Sequence, residues 1–80
     1  MERVYPPAAY LQKALEELRL SPLEFAYRAN LSPKIVKGIL TAKKEIDLPI
    51  AVKLANAAGG HPQTWMNLQR KWNESINYNK

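Results

Sequence analysis

Apolar residues recur along this chain at helical spacing, in five short stretches punctuated by proline and glycine. After Pro6-Pro7, the residues Tyr10, Leu11, Ala14, Leu15 and Leu18 share one face at i, i+4, i+7 intervals, which predicts a helix over about 7–19. Proline is tolerated there because a first-turn N–H has no intrahelical partner to lose. Ser21-Pro22 is a second start signal: a serine cap, proline at the first helical position, and Glu24 near the positive end of the helix dipole. The helix that follows, over about 22–29, is expected to turn Leu23, Phe25 and Ala26 inward. Ser32-Pro33 repeats this chemistry after the connection Asn30-Leu31-Ser32, in which asparagine tolerates the left-handed conformation of a tight turn. A third helix over about 33–41 faces inward with Val36, Ile39 and Leu40. Asp47 caps a fourth, over about 47–58, with Ile50, Ala51, Leu54, Ala55 and Ala58 as its apolar stripe and Gly59-Gly60 as its stop. A fifth starts near Pro62 and carries Trp65, Leu68, Gln69 and Trp72 on one face, with a polar tail expected to fray after Asn73. No run alternates with period two, and there is no internal repeat or linker, so the fold class is all-α in one domain over 1–80.

Size and composition narrow the function. Eighty residues give a core near the lower end of what folds unaided. Without cysteine there are no disulfides, and a single histidine offers no closed zinc site, so tight helix packing and a partner subunit are the remaining sources of margin. No stretch reaches the about 18 apolar residues of a membrane span, and the N-terminus has no apolar signal region, so a soluble, cytoplasmic protein is expected. Nothing suggests an enzyme or a cofactor. His61 stands at a helix start, Glu16 and Glu17 point in different directions, and there is no glycine-rich phosphate loop.

Charge is more telling in its placement than in its sum of +5. Arg28, Lys34, Lys37, Lys43 and Lys44 lie between Phe25 and Lys44 with no acid among them, while the other seven basic and seven acidic residues cancel. A lysine run alone reads equally as a solvated face or as a nucleic-acid contact. Here the run sits on two short helices joined by a three-residue turn, the pattern of a helix-turn-helix over about 22–41. Lys34 and Lys37 fall on adjacent turns opposite Val36, Ile39 and Leu40, and Thr41 continues their line. In the usual docking, the start of the second helix meets base edges and neighbouring groups meet phosphates. Ser32, Pro33, Lys34, Lys37 and Thr41 are thus the candidates for the major groove of double-stranded DNA. Lysine donates to guanine O6 and N7, threonine bonds base edges or phosphate, and Pro33 packs on a thymine methyl. Lys43 and Lys44, in the next loop, suit phosphate contact, which supplies affinity without sequence information.

These residues resemble the HigA-type antitoxins of the Xre/lambda-repressor-like helix-turn-helix family, over Tyr5 to about Asn73. Tyr5-Pro6-Pro7-Ala8 stands where the family commonly has His-Pro-Gly-Glu, Phe25-Ala26 matches a Leu-Ala pair, and Asn30-Leu31-Ser32 matches a Gly-Val-Ser turn. Ile39-Leu40-Thr41-Ala42-Lys43-Lys44 corresponds to an Ile-Leu-Asn-Gly-Lys-Arg run. The most specific similarity joins Ala51-Val52-Lys53-Leu54-Ala55, Gly59-Gly60 and His61-Pro62-Gln63-Thr64-Trp65-Met66-Asn67-Leu68-Gln69 to the family's Ala-x-x-Leu-Ala, Gly and Ser-Pro-x-x-Trp-x-Asn-Leu-Gln. The resemblance implies a five-helix, lambda-repressor-like domain and a homodimer. It also implies autorepression at a palindromic operator and neutralisation of a small ribonuclease toxin of the HigB kind. The family dimerises through its C-terminal helices, which makes Trp65, Leu68 and Trp72, on the helix over about 62–73, candidates for the dimer seam. Trp65 reads more readily as core and Trp72 as interface.

The chain also departs from the pattern. Pro22 replaces a phosphate-contacting glutamine, so that contact is not carried over, and Trp72-Asn73 stands where the family tends to Tyr-Asp. Ala42 replaces a glycine that takes a left-handed turn, at a cost of about 1–2 kcal/mol if the geometry is kept. Two other functions use the same residues. A stand-alone Xre-type repressor binds DNA without a toxin partner, and a protein-interaction module turns its lysines to an acidic partner protein.

Overall fold

The computed structural model describes residues 5–78, with side chains through residue 76, as five α-helices and no strand. They are α1 (Pro7–Leu18), α2 (Pro22–Ala29), α3 (Pro33–Leu40), α4 (Leu48–Ala58) and α5 (Pro62–Tyr78). Each has proline in its first turn, where fixed φ and a missing donor do no harm. Three starts also carry a side-chain cap. The Ser21, Ser32 and Asp47 oxygens accept from the N–H groups of Glu24, Ile35 and Ile50 at 3.1, 3.2 and 3.1 Å. Glu24 Oε1 in turn accepts from the Ser21 N–H at 3.0 Å, closing a capping box.

The helix ends are equally regular. α1, α2 and α3 each finish in a left-handed residue, Arg19 (φ 57°), Asn30 (φ 58°) and Ala42 (φ 60°). The next residue's N–H reaches back to a carbonyl of the last turn: Leu20 to Leu15 at 3.0 Å, Leu31 to Ala26 at 2.9 Å and Lys43 to Gly38 at 2.8 Å. This is the Schellman ending, which satisfies orphan carbonyls and turns the chain sharply. After α2 it also drives Leu31 into the core. α4 ends instead at Gly59 (φ 94°, ψ 170°), a conformation essentially reserved for glycine.

One core joins all five helices. Leu11 and Leu15 from α1, Phe25, Ala26 and Ala29 from α2, and Val36 and Ile39 from α3 meet Ile50, Ala51, Leu54 and Ala55 of α4 and Trp65 of α5. α4 packs most extensively on α5, and α2 on α3. Ile46, from the loop before α4, is drawn in as well, and its N–H donates to Gln69 Oε1 at 2.9 Å. Gln69 is the one buried polar side chain among the described residues, and its amide nitrogen donates to Asn73 Oδ1 at 3.0 Å.

Three details differ from the sequence reading. Leu23 is 64% exposed rather than inward-facing. At 100° per residue it lies across the helix from Phe25, which occupies the deepest position of α2. Of the helix 1 stripe, Leu11 and Leu15 are buried while Tyr10 and Leu18 are exposed, because two side chains one turn apart fill the space α1 covers. α5 continues as a helix past Asn73, to Tyr78. Ile76 follows Trp72 by one turn, and both line a cavity of about 110 Å³ beside Pro7, Ile39, Ala42 and Gln69.

Candidate nucleic-acid interface

α2 and α3 are held at a fixed angle by the turn Asn30-Leu31-Ser32. Asn30 supplies the left-handed residue, Leu31 the buried anchor and Ser32 the cap of α3. From α4, Lys53 Nζ donates to the Asn30 carbonyl at 3.1 Å, a further fastening of the turn. With Val36 and Ile39 essentially inaccessible, α3 has no rotational freedom about its axis, and its opposite face is committed to solvent.

On that face Ser32, Pro33, Lys34 and Lys37 are all exposed. Ser32 uses an oxygen lone pair for the helix cap, which leaves its hydroxyl proton free to donate outward. Thr41 is exposed too, but its hydroxyl donates to the carbonyls of Lys37 and Gly38 at 2.9 and 3.2 Å. That back-bonding leaves Thr41 as an acceptor toward outside groups while the proton stays with the helix. Lys43 and Lys44 follow in the loop, exposed, with no acid between them and Lys34 in sequence. The loop is tightly constrained: the N–H groups of Lys43 and Lys44 both donate to the Gly38 carbonyl, at 2.8 and 3.1 Å. The arrangement is therefore a rigid helix face with two ammonium groups, followed by a second pair on a pinned loop. Ammonium groups so disposed can donate to base edges and to phosphate oxygens.

The three aromatic and apolar candidates on α5 separate. Trp65 is 6% exposed and belongs to the core, whereas Leu68 and Trp72 are half-buried. Trp72 lines the cavity that also touches Ala42, Lys44 and Glu45, so α5 borders the loop that follows α3.

Three residues that bond the turn or the lysine loop were given no such part by the sequence reading. Lys53 looks like any solvated lysine of α4, and its role depends on a fold that brings it to Asn30. Gln69 was placed on the apolar face of its helix, but its bond to Ile46 spans 23 residues and has no local signature. Gly38 did leave a signal: glycine is a poor residue for a helix interior, so its presence in α3 calls for a packing reason. Among the described residues no group of His, Asp or Glu could hold a metal ion, and no helix is long and apolar enough to cross a membrane.

The chain matches no family model. It is 36% identical over 66 residues to YddM of Escherichia coli strain K12, described as an uncharacterized HTH-type transcriptional regulator, across 82% of this chain and 70% of that protein. Its fold is similar to that of the Pseudomonas aeruginosa antitoxin HigA, solved with the higBA promoter, with a TM-score of 0.87 and 27% identity over 95% of this chain and 84% of that one. P. aeruginosa PA4674, solved in complex with its operator DNA, gives a TM-score of 0.88 and 26% identity over 98% and 85% of the two chains. An addiction module antidote protein of a HigA family from Coxiella burnetii gives 0.87 and 26% over 94% and 83%. The five-helix, all-α architecture is thus shared with proteins whose structures contain operator or promoter DNA. Together with the relative in E. coli, these matches lead to one conclusion: the chain belongs to the helix-turn-helix transcriptional regulators.

Proposed function

We propose that this protein is a sequence-specific DNA-binding antitoxin that represses its own HigBA-like toxin–antitoxin operon. α3 enters the major groove of a palindromic operator, Ser32, Pro33, Lys34 and Lys37 face base edges, and Lys43 and Lys44 grip phosphates. Thr41, its proton engaged by α3 itself, serves as an acceptor at the groove wall. The observation that carries this reading is the pairing of exposed lysines on α3 and its following loop, in a stretch of sequence without an acid, with a fold similar to operator-bound proteins. Two copies bind together across the two-fold axis of the operator, joined through α5, where Leu68 and Trp72 offer partly exposed apolar surface and Trp65 supports them from the core. The toxin partner is a small ribonuclease of the HigB kind, a reading favoured by the antitoxin and antidote neighbours. The domain comprises the whole chain, 1–80, and acts in the cytoplasm without catalysis.

A second reading, a stand-alone Xre-type repressor without a toxin, is favoured by the relative described simply as a transcriptional regulator. Co-expression with the product of the adjacent reading frame distinguishes them. A small basic neighbour that arrests growth alone and is silenced by this chain supports the antitoxin. A chain that binds its own promoter but has no such neighbour supports the stand-alone repressor.

A further inference from the structure

Gly38 sits in the interior of α3, two residues from its end, where a glycine weakens the helix and any small residue would strengthen it. Its backbone is the floor on which the lysine loop lies. A Cβ built at Gly38 would stand 2.8 Å from Lys44 Cβ and 3.7 Å from its Cγ. Lys44 Cβ is fixed to the backbone, so it cannot swing aside as a side-chain tip would, and a methyl at 38 moves the loop itself. The same glycine's carbonyl receives both the Lys43 and the Lys44 N–H groups, and beyond them Ile46 is held by Gln69. The segment from Lys43 to Ile46 is therefore clamped at both ends against α3 and α5, and the one side chain missing from α3 is the one that would break the seat.

We propose that Gly38 is a positioning residue for DNA binding: by having no side chain it lets the loop close onto α3 and sets Lys43 and Lys44 at the level of the phosphates that flank the groove read by α3. The inference rests on the DNA-binding reading above. Gly38 touches no DNA and acts through the two lysines.

The test is Gly38→Ala, measured by fluorescence anisotropy against a mixed-sequence duplex of about 20 base pairs over a series of salt concentrations, with melting curves in parallel. Each phosphate contact contributes about 0.9 to the log–log salt slope, and hence about 8-fold in affinity at about 0.1 M salt. Gly38→Ala is expected to flatten the slope by about 0.9–1.8 and to weaken binding by at least about 8-fold. In a Lys43→Ala/Lys44→Ala background, where the loop has no charge to misplace, the same change adds nothing. Wild-type affinity and slope for Gly38→Ala overturn the proposal, as does an equal loss in the lysine-free background. Should Gly38→Ala melt below the assay temperature, Lys44→Gly removes both side-chain atoms that the new methyl meets. Gly38→Ala/Lys44→Gly is then expected to match Lys44→Gly in affinity and to melt at or above it, since alanine is the better helix residue, and a persisting deficit in either overturns the seat. If the wild type shows no salt-dependent affinity for the duplex, the DNA-binding reading falls and takes this proposal with it. If the wild type binds, the lysine pair matters and Gly38→Ala changes nothing, only the seat is lost.

Discussion

Ala42 offers an unusually clean perturbation. It is exposed, it takes φ 60°, and its N–H donates to the Ile39 carbonyl at 3.1 Å as the penultimate link of the ending of α3. An L-residue held left-handed is strained by about 1–2 kcal/mol because Cβ crowds the following carbonyl oxygen. Glycine removes that strain, but it gives the unfolded chain about 0.4–1 kcal/mol more conformational freedom to lose. The balance for Ala42→Gly is a gain of about 0.5–1 kcal/mol, since the methyl adds little burial that would offset it. For a domain of this size that raises the melting temperature by roughly 2–8 °C. Thermal denaturation followed by circular dichroism, at one fixed protein concentration, measures it. Asn30→Gly is the comparator: asparagine already tolerates the left-handed region, so its gain is smaller. A melting temperature that is unchanged or lower for Ala42→Gly, or a gain at Asn30 exceeding that at Ala42, would refute the strain argument.

Two further outcomes follow from the packing. Gln69→Leu leaves the buried Ile46 N–H without an acceptor and is expected to cost about 1–3 kcal/mol, with faster hydrogen exchange at that amide; an Ile46 amide as protected as in the wild type would contradict it. The Ser21–Glu24 capping box is expected to weaken in acid. The backbone N–H of Ser21, and then its hydroxyl, hold the exposed Glu24 carboxyl below its ordinary pKa. A lowered folded value means that the contribution is fully present above the ordinary glutamate pKa and disappears as pH falls through the depressed value. The difference in melting temperature between wild type and Glu24→Gln, which has no charge to lose, should therefore shrink on acidification, and a constant difference across that window would show that the Glu24 charge takes no part.

The helices were legible because each carries its own punctuation. Ser21-Pro22, Ser32-Pro33 and Asp47 act locally, and the structure shows all three oxygens in use as caps. Ala42 was legible only through the resemblance, because it stands where the HigA-type pattern has a glycine in a left-handed turn, and the left-handed geometry is kept. What could not be read were relations between distant segments. The bonds from Gln69 to Ile46 and from Lys53 to Asn30 each span 23 residues, and they depend on how α4 and α5 come to lie over the earlier helices. Leu23 misled for a related reason, since an eight-residue helix covers too little core to bury every apolar residue it carries. Within the candidate interface, exposure of Lys34 and Lys37 followed from the helical period alone, whereas the engagement of the Thr41 hydroxyl by its own helix needed coordinates. The α5 extension past Asn73 was masked by asparagines that favour helix ends.

The central claim is that α3 reads DNA through Lys34 and Lys37. Its most direct test is binding to a duplex carrying the promoter of the protein's own gene, in parallel with a scrambled duplex, for wild type, Lys34→Ala and Lys37→Ala. The account predicts salt-dependent binding that favours the promoter. Each substitution should cost about 1–3 kcal/mol where its lysine meets a base, with relaxed preference at that base pair. Equal affinity for both duplexes, or promoter binding unchanged by either substitution, would contradict it.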